Sequence, residues 1–162
     1  MGYGTPSVNL TWGGLALAMS KAGGKTDPTT TVATTAENCT TSGDYAVLKT
    51  LPAATVLSGI NQGAPILNFT HHRVIAAPYH RNLGNLVAYE AFLGDAAKAR
   101  QLLVDNGVSL VAICRAVDEN PDASPDTLHG RLMRGDPPAW LHMVPTSKDA
   151  AIEIYEVMPT TG

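Results

Sequence analysis

Residues 70–82 carry the densest group of side chains that can do chemistry in this chain of 162 residues. The segment reads Thr-His-His-Arg-Val-Ile-Ala-Ala-Pro-Tyr-His-Arg-Asn and holds three of the five histidines and two of the six arginines. Its apolar centre, residues 74–77, predicts a buried strand that begins and ends on polar side chains. Because binding sites of layered α/β domains usually lie at strand ends, this segment is the best candidate site in the sequence.

The polar side chains of this segment can bind an anionic group. Arg73 and Arg81 are suitable donors to a phosphate or carboxylate, and the helix that begins near Leu83 would add its dipole. The competing interpretation is structural, with the imidazole and guanidinium groups donating to loop carbonyls at the end of the sheet. The predicted ligand-binding residues are His72, Arg73, Tyr79, His80, Arg81 and Asn82.

Other kinds of site find less support. Adjacent His71 and His72 on a strand point to opposite faces, and no carboxylate lies near them, so we predict no metal site and no cofactor. Ser58 lacks the flanking glycines of a hydrolase nucleophile. The acidic residues after the third strand are interpreted as a solvated loop rather than a catalytic pair. They are Asp118, Glu119, Asp122 and Asp126.

Composition is that of an ordinary globular domain. A chain of this length, with 44% apolar residues, buries roughly 70% of its unfolded surface, which is enough for one core. The net charge is −3 and no run of Lys or Arg stands out, so the chain lacks a field that would hold a polyanion. Aromatic residues make up only 6%, which offers few platforms for base stacking. We therefore predict no nucleic-acid partner.

The sequence changes character near residue 43. Residues 1–43 are rich in Gly and Thr and poor in large apolar groups, which predicts an extended arm or leader. Residues 44–162 have the pattern of one compact domain. Within it, strands are predicted at residues 55–59, 73–77, 108–114 and 151–157, separated by helices.

Strands that alternate with helices imply right-handed crossovers and a mostly parallel sheet. The predicted fold is therefore a small, mostly parallel, four-stranded α/β sheet flanked by helices. The last strand is predicted at an edge, because Glu153 and Glu156 interrupt its apolar alternation, and an antiparallel direction is left open. Helices are predicted to start at Asp44, Pro65, Leu83, Asp95 and Ser124.

Four stretches carry a resemblance to a known family. They are residues 51–59, residues 62–67 (Gln-Gly-Ala-Pro-Ile-Leu), the segment 70–82, and residues 106–114 (Asn-Gly-Val-Ser-Leu-Val-Ala-Ile-Cys). Together they resemble the carboxy-terminal extracytoplasmic domain of bacterial polytopic membrane proteins. Those proteins are similar to the large glycosyltransferases that use lipid-linked sugars. The resemblance covers about residues 39–157, and residues 70–82 are its distinctive part.

The resemblance implies an accessory role. Such a domain would lie at the extracytoplasmic (periplasmic) face of a bacterial inner membrane, attached to a parent transmembrane domain. It would bind a glycan or polyprenyl-phosphate group, as part of a lipid-linked sugar or another anionic ligand, or only support folding. Catalytic acids of those glycosyltransferases lie near amino-terminal transmembrane helices, so no catalytic residue carries over and the isolated domain is expected to be inert. No stretch here reaches the ~20 apolar residues that cross a bilayer.

The competing hypothesis is a free-standing small enzyme of the hydrolase type. In that enzyme His72 or His80 would act as general base, and Arg73 or Arg81 would hold an anionic substrate. A third hypothesis is a protein-interaction module, which would expose a broad apolar surface.

The two cysteines, Cys39 and Cys114, allow two interpretations from the residues alone: a disulfide between the arm and the sheet, or two unpaired thiols. The extracytoplasmic compartment implied by the resemblance favours the disulfide, because disulfides persist in oxidising compartments.

Overall fold

The computed structural model describes residues 38–118 and 123–159. Most of the predicted arm lies outside the described residues, so its division from the compact domain at residue 43 stays a prediction. The described elements, in chain order, are α1 (Ala46–Thr50), β1 (Thr55–Ser58), α2 (Ile60–Phe69), β2 (Arg73–Val74), α3 (Gly84–Leu93), α4 (Ala96–Asp105), β3 (Val108–Cys114), α5 (Arg115–Asp118), α6 (Leu128–Met133), β4 (Leu141–Met143) and β5 (Ile152–Val157). No helix within this part of the chain is long and apolar enough to cross a bilayer.

The strands form one mixed sheet in the order β2-β1-β3-β5-β4. β1 pairs in parallel with both β2 and β3, whereas β5 pairs antiparallel with β3 and β4. The predicted α/β class, a sheet flanked by helices, is confirmed, and the sheet is partly rather than mostly parallel, since two of its four strand pairs are antiparallel. The antiparallel direction left open for the last strand is the one observed.

Two details of the predicted sheet were wrong. The sheet has a fifth strand, β4, which was not predicted because three residues are too short to show a period. β5 is consequently an interior strand and not an edge strand, since β3 and β4 flank it. The edge position was predicted partly because Glu153 is charged. In the structure, the Glu153 carboxylate is instead paired with Arg115.

Three predicted element boundaries also shift. α2 begins at Ile60 and keeps Pro65 in its interior, where proline costs one backbone hydrogen bond that burial of the neighbouring Ile66 offsets. β2 ends at Val74 instead of residue 77. α6 is capped by Thr127, whose hydroxyl accepts from Gly130 N–H at 3.0 Å, and not by Ser124, where the helix was predicted to start.

Apolar cores lie on both faces of the sheet, because successive side chains of β3 alternate between them. One core packs α3, α4 and α6 against the sheet, and the other packs α1 and α2. The largest fully buried residues of the α3–α4–α6 core are Leu57, Leu103, Ile113, Leu128, Leu132 and Tyr155. Those of the α1–α2 core are Tyr45, Leu48, Val56, Ile66, Ile152 and Ile154.

A disulfide joins Cys39 to Cys114, which confirms the predicted bond. Both cysteines are buried in the α1–α2 core. The Tyr45 hydroxyl donates to the Cys39 carbonyl oxygen at 2.6 Å. Burial, helped by the nearby carboxylates of Asp44 and Asp118, raises the pKa of Tyr45 to about 12. The disulfide therefore fixes the chain before α1 to the carboxyl end of β3.

Arg115 ties three elements together where β3 ends. Its Nε and Nη2 donate to the Glu153 carboxylate of β5 at 2.5 and 3.0 Å. Its Nη1 and Nη2 donate to the carbonyl oxygens of Met133 and Leu132, in the last turn of α6, at 2.6 and 3.1 Å. A guanidinium group is favourable at a helix carboxyl end. The contact fixes α6 beside the carboxyl edge of the sheet.

Candidate functional site

The structure divides the predicted site between the two ends of β2. His72 and Arg73 lie at its amino end, whereas residues 79–82 follow its carboxyl end. His72 is buried, and its Nδ1 accepts from Ala54 N–H at 3.1 Å. Its Nε2 therefore carries the proton and donates to the Leu48 carbonyl oxygen at 2.6 Å. Both ring nitrogens are engaged by backbone, so His72 links α1 to the sheet and has no nitrogen left for a ligand or a substrate proton.

Arg73 is exposed at the amino edge of the sheet. It lines a cavity of about 330 Å³ with His71, Thr55, Gly107 and Ser109. This cavity does not include Tyr79, His80, Arg81 or Asn82. The segment 70–82 thus does not converge on one pocket.

Residues 79–82, which lie between β2 and α3, form a turn at the surface. Tyr79, His80 and Arg81 are exposed. Arg81 has a φ of 63°, in the left-handed region that few non-glycine residues adopt. The Asn82 side-chain oxygen accepts from Gly84 N–H at 2.9 Å and so supports the start of α3. Ligand binding by these residues stays a prediction.

A different group of polar residues lies at the carboxyl ends of β1 and β3. The chain leaves β1 through α2 on one face of the sheet and reaches α6, after β3, on the other face. In α/β sheets, adjacent strands whose connections leave toward opposite faces open a crevice at their carboxyl ends, where ligands commonly bind. We call this cavity the β1–β3 crevice. Its volume is about 260 Å³, and it is lined by Ser58, Gly59, Ile60, Ala88, Tyr89, Phe92, Leu93, Val117, Asp118 and His129.

Gly59, which lines the β1–β3 crevice, has two side-chain oxygens packed against it. A β-carbon at Gly59 would lie 2.3 Å from Asp118 Oδ1 and 2.4 Å from Gln62 Oε1, closer than any real side chain could stand. Gln62 is only 4% exposed, and its Oε1 has no hydrogen-bond partner among the described residues. A buried, unpaired acceptor is costly and uncommon in folded proteins, which makes it a marker of a binding position.

His129 supplies a second unpaired atom. Its Nε2 lies 2.5 Å from the Asp118 carbonyl oxygen, so this nitrogen carries the proton and donates. Nδ1 is buried without a partner in the described residues, and it is an acceptor whenever Nε2 alone carries the ring proton. Phe92 meets the imidazole edge-on, with ring centroids 6.1 Å apart, and holds its orientation.

Asp118 is the carboxylate of the crevice, and its predicted position in a solvated loop was wrong. Its Oδ2 accepts from Cys114 N–H at 2.8 Å. Burial raises the pKa of this carboxyl above its ordinary value, while the Cys114 hydrogen bond and nearby His129 lower it in part. Glu119 and Asp122 lie outside the described residues, and Asp126 is exposed as predicted.

Asp118 and His129 line the crevice, and Gln62 Oε1 lies against Gly59 beside it, so three polar side chains able to accept hydrogen bonds gather here. Ser58 is buried beside them, and its hydroxyl donates to the Gly59 carbonyl oxygen at 3.1 Å. Tyr89 and Phe92 add aromatic surface on one side. Such a site fits a group that donates several hydrogen bonds and has an apolar face.

A larger cavity of about 640 Å³ lies between α3 and α4. Surface positions of the two helices line it, including Tyr89, Glu90 and Lys98. None of the buried polar side chains of the described residues lines this cavity. It therefore lacks the fixed hydrogen-bonding groups that could orient a ligand in the β1–β3 crevice.

Sequence reasoning missed Gln62, Asp118 and His129 as site residues. The end of β3 was predicted correctly and that of β1 to within one residue, and the rule that ligands bind at carboxyl ends of strands would have pointed to Gly59 and Asp118. Gln62 and His129 have no local signal, because helices from opposite faces bring them to the crevice.

Comparison with known proteins gives a match in structure but none in sequence. No protein-family model matches the chain, and no curated protein matches it in sequence. Among solved structures, the chain is similar to the C-terminal globular domain of an oligosaccharyltransferase from Archaeoglobus fulgidus. The match covers 71% of this chain and 92% of that domain, with a TM-score of 0.50 and 14% sequence identity. The likeness is one of fold.

Proposed function

We propose that this chain is an accessory, non-catalytic extracytoplasmic domain of an integral membrane protein, and that its β1–β3 crevice binds one sugar residue of a glycan. The observation that carries the binding proposal is the group of three polar side chains that meet at the crevice and beside Gly59. Gln62 Oε1 and His129 Nδ1 are buried and unpaired among the described residues, and Asp118 lies beside them. Each of these atoms requires a donor, which sugar hydroxyl groups provide.

The same acceptors argue for a sugar over a polyprenyl-phosphate. A phosphate monoester has at most one proton to offer these polar side chains near neutral pH, and the Asp118 carboxylate would repel it. A sugar ring instead has hydroxyl donors at its edge and C–H groups on its face, and the rings of Tyr89 and Phe92 supply an apolar surface for that face. The cavity volume is below the roughly 300–1,000 Å³ of sites for drug-sized ligands, which is appropriate for one ring.

Two observations support the accessory, extracytoplasmic part of the proposal. The fold is similar to that of a C-terminal globular domain of an oligosaccharyltransferase. The resemblance found in the sequence is likewise to carboxy-terminal domains of membrane proteins that are similar to glycosyltransferases. The Cys39–Cys114 disulfide is of the kind that persists in oxidising compartments such as the periplasm. In this proposal the partner is a parent transmembrane domain at the outer face of a bacterial inner membrane.

The enzyme alternative has less geometric support. His72, one of its two candidate bases, has both nitrogens bound to backbone atoms. In the crevice, His129 donates to the backbone oxygen of Asp118 and not to its carboxylate, so the pair lacks the arrangement of a general base with an orienting acid.

The binding proposal is tested by titrating the ¹⁵N-labelled chain with glucose, mannose, galactose and N-acetylglucosamine, and in parallel with inorganic phosphate. We expect one of the sugars to shift amide signals of Gly59, Gln62 and His129. Gln62→Leu removes the unpaired acceptor at similar size and is expected to weaken sugar binding about tenfold, the loss typical of one buried hydrogen bond. Asp126→Asn, at an exposed position, is the matched control.

Two results would contradict the binding proposal. One is binding of phosphate with shifts at Arg81 and none at the crevice. The other is turnover of a phosphate ester that His80→Ala abolishes, which would favour the enzyme. The membrane part is tested separately: the open reading frame that contains these residues is expected to encode several apolar segments of about 20 residues.

A further inference from the structure

α3 is apolar on both of its faces. Its inner face buries Ala88, Ala91 and Phe92 in the α3–α4–α6 core. Its outer side exposes Leu83, at the N-cap, by 77%, Leu86 by 64% and Tyr89 by 63%. These three residues recur every third position and so share one side of the helix. A helix apolar all round is normally covered on all sides. Something outside the described residues is therefore expected to cover this α3 outer face.

The charge next to the α3 outer face indicates what covers it. The chain has a net charge of −3, yet residues 79–89 contain two basic side chains, His80 and Arg81, and no Asp or Glu, and the first carboxylate after them is the exposed Glu90. His80 and Arg81 are exposed immediately before Leu83, together with Tyr79, which is 58% exposed. Neither basic residue takes part in a salt bridge within the described part of the chain. The surface thus combines two adjacent basic side chains with aromatic and aliphatic ones, on a chain that is acidic as a whole.

This combination matches an anionic bilayer surface better than a protein partner. Interfacial segments use leucines to enter the acyl boundary, tyrosines at headgroup level, and basic residues against anionic lipid headgroups. A stable protein interface engages about 20–30 residues on each side, whereas the exposed apolar residues here are few and lie on one helix and the turn before it. A bilayer needs only that a few side chains insert.

We infer that the turn at residues 79–82 and the α3 outer face form a membrane-contact surface, which inserts Leu83 and Leu86 into the interfacial zone of an anionic bilayer while Arg81 contacts lipid phosphates. This contact goes beyond the proposed glycan site, because it involves lipid and not sugar. It would orient the domain with α3 toward the membrane, so that the β1–β3 crevice, which Tyr89 borders, opens close to the bilayer surface.

The test is co-sedimentation of the full chain with vesicles of equal parts phosphatidylglycerol and phosphatidylcholine, compared with vesicles of phosphatidylcholine alone. Binding is expected to be stronger to the anionic vesicles and to weaken with added salt. The double variant Leu83→Ser, Leu86→Ser is expected to bind the vesicles at least about tenfold more weakly than the wild type, because one inserted leucine is worth at least that factor in affinity. Arg81→Gln is expected to reduce the preference for phosphatidylglycerol.

A matched control is the double variant Leu67→Ser, Met143→Ser, which removes exposed apolar side chains from α2 and β4. It is expected to bind vesicles like the wild type. Equal binding by both double variants would overturn the inference. So would concentration-dependent dimerisation in sedimentation velocity that the Leu83, Leu86 variant alone abolishes, because a second copy would then be what covers α3. Sugar titrations of the same variants are expected to be unchanged, which separates this inference from the proposed function.

Discussion

Gln62 and Asp118 each hold one side-chain oxygen against the α-carbon of Gly59, at 2.4 and 2.3 Å from where a β-carbon would stand. One residue is on a helix after β1 and the other on a helix after β3. The absence of a side chain at position 59 is therefore what lets two elements on different strands share one small polar floor.

Gly59→Ala is expected to displace both oxygens and to weaken sugar binding about tenfold or more, because the added methyl group occupies their positions. The φ of Gly59 is −54°, which alanine adopts freely, so the effect comes from overpacking alone. Because both oxygens are side-chain ends that can move aside, we expect a loss of no more than about 1 kcal/mol in the free energy of unfolding, the low end of overpacking costs, measured by urea denaturation. Gly43→Ala, where the nearest atom would be 3.7 Å away, is the control and should leave both measurements unchanged.

Asp118 is expected to make stability depend on pH. Burial raises the pKa of its carboxyl above 3.8, so the folded protein holds this proton more tightly than the unfolded chain. The resulting stabilisation is fully present below the unfolded pKa and is lost as pH rises through the folded pKa. Asp118→Asn stays neutral, so its urea midpoint should rise relative to that of the wild type as pH increases above the ordinary carboxyl pKa. Parallel pH profiles for the two proteins would contradict this assignment, and Asp126→Asn should match the wild type.

His71 and His72 offer a matched pair of neighbouring histidines. His72→Ala removes two buried hydrogen bonds and leaves Leu48 C=O and Ala54 N–H unpaired, for an expected loss of about 2–4 kcal/mol in the free energy of unfolding. His71 is exposed and lies 2.9 Å from the Leu51 carbonyl oxygen through Nε2. His71→Ala should therefore cost less than about 1 kcal/mol. Thermal and urea unfolding would measure both, and equal losses would argue against the structural role of His72.

Removal of the disulfide is expected to destabilise the domain by about 4 kcal/mol on the chain-entropy account of cross-links. The two cysteines are separated by 75 residues, so the bond closes a long loop in the unfolded chain. The double variant Cys39→Ala, Cys114→Ala is compared with wild type in urea, with and without reductant. Reductant should lower the midpoint of the wild type and leave that of the variant unchanged. A midpoint unaffected in both proteins would show that the cross-link does not stabilise the fold.

Local sequence patterns were sufficient for most of the elements. β3 was predicted with its observed limits, because its seven residues are almost all buried and form a continuous apolar run. The cap of α4 was also correct, since Asp95 accepts from Ala97 N–H at 2.7 Å as its type and position indicate. β4 and the two-residue β2 were not defined correctly, because so few residues show no period and owe their pairing to neighbouring strands.

The sequence by itself determined the α/β class, the parallel pairing around β1 and, through the resemblance, the disulfide, because each rests on short-range periodicity or on residue type. Only the tertiary structure decided which polar residues meet. It assigned His72 to a backbone link and separated it from residues 79–82, since a strand places its two ends at opposite edges of the sheet. It brought Gln62, Asp118 and His129 together, because helices on opposite faces of the sheet approach the same end of β1 and β3.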